Sequence, residues 1–312
     1  MCKGFLVKYF LQNFLDFSQM SIPAEITKAI PEQLFRWALS SFLPLFRWKR
    51  QIVQKNRAYV CNESVPDSTV FYKLMLTHLT RHVSEILFRF SQFKQAAQDT
   101  ASYPCQVNRI TFELAEGSTP VLEKMRHGGI FLTAHYGNYE AIGPWLCRLG
   151  IPLKASYIPL KPQWLNRLVE KKLRAVDGRS YSINAKNPRE FLRLLDEGQL
   201  FCLLMDQDSR IASAIETDFL GKRAHTNPLP DFLLKHRPQT PVFICWMEET
   251  DGAKRKVLHA IEVTASESIK GKSAPVADAF NRWLEERIAE NPALWYGWTH
   301  RRFYSSNPKI YL

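Results

Sequence analysis

The stretch Gly129-Ile130-Phe131-Leu132-Thr133-Ala134-His135-Tyr136-Gly137-Asn138-Tyr139-Glu140 places a strand, a turn and two chemically active side chains in a single run. Ile130 to Ala134 is short and wholly apolar apart from Thr133, the pattern of a buried strand. The strand ends on His135, and Glu140 follows in the next turn of chain. A strand that delivers a histidine into a loop, with a carboxylate close enough to orient it, is a general-base arrangement. The acid fixes the imidazole tautomer and stabilises the imidazolium formed when the ring takes a proton. Gly137-Asn138 is a turn signal, and backbone amides there are candidate donors to a developing oxyanion.

Outward from this stretch, strand and helix signals alternate. Strands are expected at 108–114, 153–157, 179–183, 200–205, 242–247, 256–263 and 294–298. Helices are expected at 142–149, 163–176, from Asn187-Pro188 to Gly198, at 229–236 and at 274–290. Alternation of this kind implies an α/β fold: a mixed, largely parallel central sheet flanked by helices. The first hundred residues differ. Phe71, Leu74, Met75, Leu79, Val83, Ile86, Leu87, Phe90 and Phe93 recur at helical spacing. The expected division is a helical N-terminal subdomain over 1–100, with membrane-interface segments, and an α/β body over 101–312.

The 312 residues carry a net charge of +12, with 12% aromatics and 8 tryptophans. That field favours anionic partners. Basic residues mixed with aromatic rings suit an anionic membrane surface. No nucleic-acid-binding signature accompanies them, so nucleic acid is not expected as a partner. Gly4–Leu15 and Leu34–Trp48 are apolar but interrupted by polar residues, short of the about 18 apolar residues of a spanning helix. They read as amphipathic interfacial segments beside the basic run Trp48-Lys49-Arg50. No signal-peptide cleavage site follows the first of them. The six cysteines form no CxxC pair and read as scattered residues of a reducing compartment.

Further candidates sit at expected strand ends, where open α/β folds place their sites. Met205-Asp206-Gln207-Asp208 follows a buried strand. Phe219-Leu220-Gly221 is expected as a loop before a helix capped by Thr226. Arg301 and Arg302, beside Trp298, are candidate phosphate contacts. His78 and His82 have metal-ligand spacing on a helix but lack an evident third ligand, so no metal or cofactor is expected. With no GxSxG elbow, P-loop or GxGxxG in the chain, the attacking group is expected to be a substrate hydroxyl rather than an enzyme serine.

The ordered set HYGNYE (135–140), Arg174 before Gly178, MDQD (205–208), FLG (219–221) with Thr226, and WTHRRF (298–303) resembles the lipid A late acyltransferases. These are the lauroyl/myristoyl transferases of the lysophospholipid acyltransferase superfamily. The resemblance runs from about Lys49 to Arg302. It implies an enzyme at the cytoplasmic face of a bacterial inner membrane, monotopic or held by a single N-terminal anchor. The reaction implied is transfer of an acyl chain from acyl carrier protein to a hydroxyl of a lipid A precursor, a phosphorylated glycolipid. By position His135 and Glu140 match the HxxxxD/E catalytic pair, Arg174 a basic active-site residue and Asp206 a strand-end acid. The family usually begins with a clear spanning helix and often has an arginine where Ile158 precedes Pro159, and this chain departs at both places. Two rival readings remain open from sequence. One is an acyltransferase acting on another glycolipid, an ornithine lipid or a lysophospholipid. The other is a non-catalytic protein that binds anionic membranes.

Combined apolar insertion and electrostatic attraction predict that the protein sediments with membranes. High salt with mild detergent is expected to release it, and salt alone is not. Full recovery in the soluble fraction at low salt refutes interfacial anchoring.

Overall fold

The structure is a computed structural model. It describes residues 32–45, 47–156, 163, 166–167, 170, 174–183, 188–263 and 275–312. The apolar segment Gly4–Leu15 lies outside the described residues.

Among the described residues three helices come first: α1 (Glu32–Leu45), α2 (Arg50–Cys61) and α3 (Val65–Phe88). Helix α3 starts where its sequence says it should. Ser64 caps it by accepting from the Asp67 N–H, and Pro66 occupies the first turn. Its apolar stripe, Phe71, Met75, Leu79 and Val83, is buried.

The body is an eight-stranded sheet. Its strands are β1 (Cys105–Val107), β2 (Ile110–Leu114), β3 (Gly129–Thr133), β4 (Leu153–Ser156), β7 (Ser182–Ile183), β8 (Leu200–Leu204), β11 (Val242–Thr250) and β12 (Arg255–Glu262). The spatial order is β1-β2-β12-β11-β3-β8-β4-β7. The β1/β2 and β11/β12 pairs are antiparallel and the remaining neighbours parallel. The expected mixed, largely parallel sheet is what forms. Strand β3 lies between β11 and β8 and is buried over all five residues. This is why it reads as a continuous apolar run rather than an alternating one. Helices α4 (Ser118–Met125), α5 (Ile142–Arg148), α6 (Pro188–Asp196), α7 (Leu229–His236) and α8 (Pro275–Glu290) accompany the sheet. The core cluster is continuous with the buried faces of α1, α2 and α3.

Three expectations fail locally. The helix expected over 163–176 does not reach its end. Gln163, Asn166, Arg167 and Glu170 are helical, but β5 (Ala175–Val176) turns at Asp177-Gly178 and pairs with β6 (Arg179–Ser180). Phe219-Leu220-Gly221 does not precede a helix. It is the turn of a hairpin, β9 (Ile215–Phe219) with β10 (Lys222–Thr226), so Thr226 is a strand residue and not a cap. Residues 294–298 form no strand beyond one bridge between Trp295 and Tyr136, because 3₁₀ turns occupy Pro292–Leu294 and Tyr296–Thr299.

Gly128, at the entry to β3, has φ +88°, and a Cβ there would meet the Gly198 carbonyl oxygen at 2.5 Å. Only glycine allows the chain to pass so close to its neighbour. Gly128→Ala is therefore expected to cost about 2 kcal/mol, seen as a Tm lowered by a few degrees in thermal unfolding. An unchanged Tm contradicts this account.

Candidate active site

The β3–β8 register builds the site. Thr133 pairs with Leu204 in the parallel ladder, so the two chains leave the sheet side by side. Continued by two residues, that register sets His135 level with Asp206. His135 Nδ1 lies 2.7 Å from Asp206 Oδ1. Asp206 Oδ2 accepts the His135 backbone N–H at 3.2 Å and the Trp295 indole N–H at 2.9 Å. A carboxylate with these donors is an acceptor, so Nδ1 carries the proton and Nε2 presents its lone pair. Asp206 has no exposed side-chain surface, whereas the His135 side chain keeps 19%. The base therefore has a dry, anchored side and an open side. The Gln207 amide nitrogen stands 3.5 Å from Nε2 on that open side.

Burial alone would raise the Asp206 carboxyl. The positive charge of His135 and the hydrogen bonds from His135 and Trp295 override it and hold the group at about 2. Asp206 is thus ionised throughout the ordinary pH range.

The hydrogen bond that orients His135 comes from Asp206, where sequence spacing had assigned it to Glu140. Pro144 explains Glu140's position. Without an N–H it fits only the first turn of a helix, so α5 begins at Ile142 and Glu140 sits in the 3₁₀ turn before it. Loss of water around its carboxyl raises Glu140, and the charges of Arg174 and then His135 oppose the rise. Glu140 thus feels the charges of Arg174 and His135, and Asp206 feels that of His135. The Tyr139 ring meets His135 edge-on at 4.9 Å, and the His300 ring lies 5.9 Å from it.

Other expected roles change with the geometry. The Gly137 N–H donates to the Leu294 carbonyl at 2.9 Å and so does not face the site as an oxyanion donor. The Asn138 side chain is buried and bonded to Glu85, Glu249 and His82. His82, weighed above as a metal ligand, has its Nδ1 against that amide. Arg301 and Arg302 do not form a clamp. Arg301 is exposed beside the Tyr304 and Tyr311 rings. Arg302 is buried, donating to the His225 carbonyl at 2.5 Å and the Thr226 hydroxyl at 2.8 Å, with its guanidinium over the Phe219 ring. Desolvation lowers Arg302 to about 10. Asp208 holds the Ser305 backbone and hydroxyl.

Residues 118–305 match the bacterial lipid A biosynthesis acyltransferase family. The chain belongs to this family. It is therefore an acyltransferase of lipid A biosynthesis. No curated protein matches the chain. The family match spans every site residue expected from sequence, from His135 to Arg302.

Within this acyltransferase, sequence reading missed Trp295 and His300 as neighbours of the His135–Asp206 pair, although Trp295 stands in an expected strand and His300 in the stretch that had drawn notice for its arginines. It also missed Asn56. From α2, the Asn56 amide donates to the Trp298 and His300 carbonyls at 2.8 Å and pins the segment carrying both.

Arg302 fastens the chain end to the β9/β10 hairpin, so Arg302→Met is expected to lower Tm through the lost buried hydrogen bonds, at about 1–3 kcal/mol. KM for a phosphorylated acceptor should not change in the folded fraction. A raised KM at unchanged Tm restores the phosphate-contact role.

Proposed function

We propose that the chain moves a fatty acyl group from acyl carrier protein to a hydroxyl of a phosphorylated lipid A precursor, with His135 as general base. The observation that carries this reading is the Nδ1–H to Asp206 bond, which leaves Nε2 basic on the open side of the site. His135 Nε2 takes the acceptor's hydroxyl proton as the oxygen attacks the thioester carbonyl. Collapse of the tetrahedral intermediate breaks the C–S bond, and the imidazolium gives its proton to the departing thiolate. The products are the ester and the free carrier thiol. Asp206 holds the tautomer and stabilises the imidazolium. Glu140 is the second carboxyl of the pair and acts on protonated His135 by charge, without a hydrogen bond. Arg174 is the candidate for stabilising the oxyanion.

A location on the cytoplasmic face of the inner membrane is supported by the surface of the leading helices. Leu34, Trp37 and Phe42 of α1 and Val70 and Leu74 of α3 are exposed, with exposed Lys49 and Lys73 nearby in sequence. Among the described residues no helix is long and apolar enough to cross a membrane.

Mass spectrometry of lipid A from cells with and without the gene tests the acceptor. An unchanged lipid A alongside an altered ornithine lipid or phospholipid pool refutes it. With purified protein, His135→Ala and Asp206→Asn are each expected to lower kcat by about 10²–10⁴ while the fold persists. Wild-type kcat should fall on acidification as His135 takes up a proton, with Asp206, held at about 2, already ionised there. Activity within a few-fold of wild type in His135→Ala sinks the base assignment.

A further inference from the structure

Beneath the loop that carries His135 lies a buried charged cluster with no part in the chemistry above. Glu249 of β11 and Lys256 of β12 face each other in the antiparallel ladder. Glu85 comes from α3. Lys256 Nζ is bonded to Glu249 Oε1 and lies 2.6 Å from Glu85 Oε2. The Lys256 side chain has no exposed surface, and Glu85 keeps only 2%. Asn138 Nδ2 donates to Glu85 Oε2 at 2.6 Å and Glu249 Oε1 at 3.1 Å. The reversed amide would set its oxygen against two carboxylates, so Oδ1 must face His82. It accepts the His82 Nδ1–H at 3.0 Å. The amide's two N–H groups and its oxygen are thereby all bonded to side chains.

Stability does not account for this cluster. Two carboxylates and one ammonium taken from water carry a desolvation cost that apolar residues of similar volume avoid. What the cluster supplies is a fixed seat for one amide, and that amide belongs to the loop between His135 and Glu140. A second line of contact leads the same way. The His82 ring lies 5.1 Å from Tyr139 and stacks on Tyr296 at 5.6 Å, and Tyr139 meets His135 edge-on. The Tyr296 N–H donates to the His135 carbonyl at 2.8 Å.

We propose that Lys256, Glu85 and Glu249 are positioning residues for acyl transfer, clamping the Asn138 amide so that the loop presents His135 to Asp206 and to substrate. The proposal rests on His135 acting as the base. The cluster touches neither substrate nor reacting atoms, so its failure should appear in the rate of the bound complex and not in substrate affinity.

The test compares wild type, Asn138→Ala, Lys256→Met, Lys256→Met with Glu249→Gln, and His135→Ala. All are full chains in one detergent, assayed well below the lowest Tm. Asn138→Ala is expected to stay folded and lose kcat by about 10- to 100-fold, with KM for donor and acceptor within about twofold. Lys256→Met should show the same kcat loss with a larger fall in Tm. Adding Glu249→Gln restores charge balance and should recover part of that kcat. If Lys256→Met does not fold, Asn138→Ala decides alone, since it removes only the loop's end of the clamp. A folded Asn138→Ala with wild-type kcat overturns the proposal, as does a kcat loss that tracks only the unfolded fraction. If His135→Ala remains active, the base reading falls and this proposal with it. If His135→Ala is inactive while Asn138→Ala is normal, the base reading stands and only the clamp is refuted.

Discussion

Two parallel strands at the middle of the sheet bring a histidine and an aspartate 71 positions apart in sequence into hydrogen-bond contact. The register of β3 against β8 sets that contact, and a slip of one residue would turn one of the two side chains to the opposite face of the sheet. Much of the surrounding structure serves to hold this pair. Asp206 can stay charged without water only because His135 and Trp295 donate to it. Trp295 in turn is placed by its bridge to Tyr136, the residue after His135. The base, its acid partner and the indole beneath them form a closed unit.

The end of the chain is therefore part of the site. Asn56 of α2 holds the Trp298 and His300 carbonyls, and the Tyr311 hydroxyl donates to the same Asn56 at 2.6 Å. Arg302 ties the next turn to the β9/β10 hairpin, and Asp208, two residues beyond Asp206, ties Ser305. Helices that precede the sheet and turns that follow it thus meet around the strand ends that carry His135 and Asp206. This explains why Arg302, near the chain end, lies close to the active site while serving as a fastener.

Buried polar groups are concentrated on one side of the His135 loop. Glu85, Asn138, Glu249, Lys256 and the Nδ1 of His82 are hydrogen-bonded together there. Burial, and then the charge of Glu249, push the Glu85 carboxyl up, and Lys256 opposes the rise. Burial also lowers His82 to about 4, so that ring stays neutral between its two tyrosines. The loop is held by a buried polar seat on one side and by a charged hydrogen bond on the other.

The sequence by itself determined the sheet, because parallel strands buried on both faces must be continuous apolar runs, and Ile130–Ala134, Leu200–Met205 and Val242–Met247 are such runs. It determined that His135 and Asp206 leave strand ends, and its ordered motifs indicated the family. It did not determine which carboxylate meets which nitrogen. Glu140 is near His135 in sequence and Asp206 is far, but strand pairing places Asp206 against Nδ1 and Pro144 confines Glu140 to a 3₁₀ turn. Nor did it separate an exposed charge from one that fastens the fold. Arg301 and Arg302 are neighbours in sequence, yet one is exposed and the other buried under the hairpin. Hydrogen-bond partners and burial are properties of non-local packing, and for Arg302, Asn138 and Lys256 only the tertiary structure supplies them.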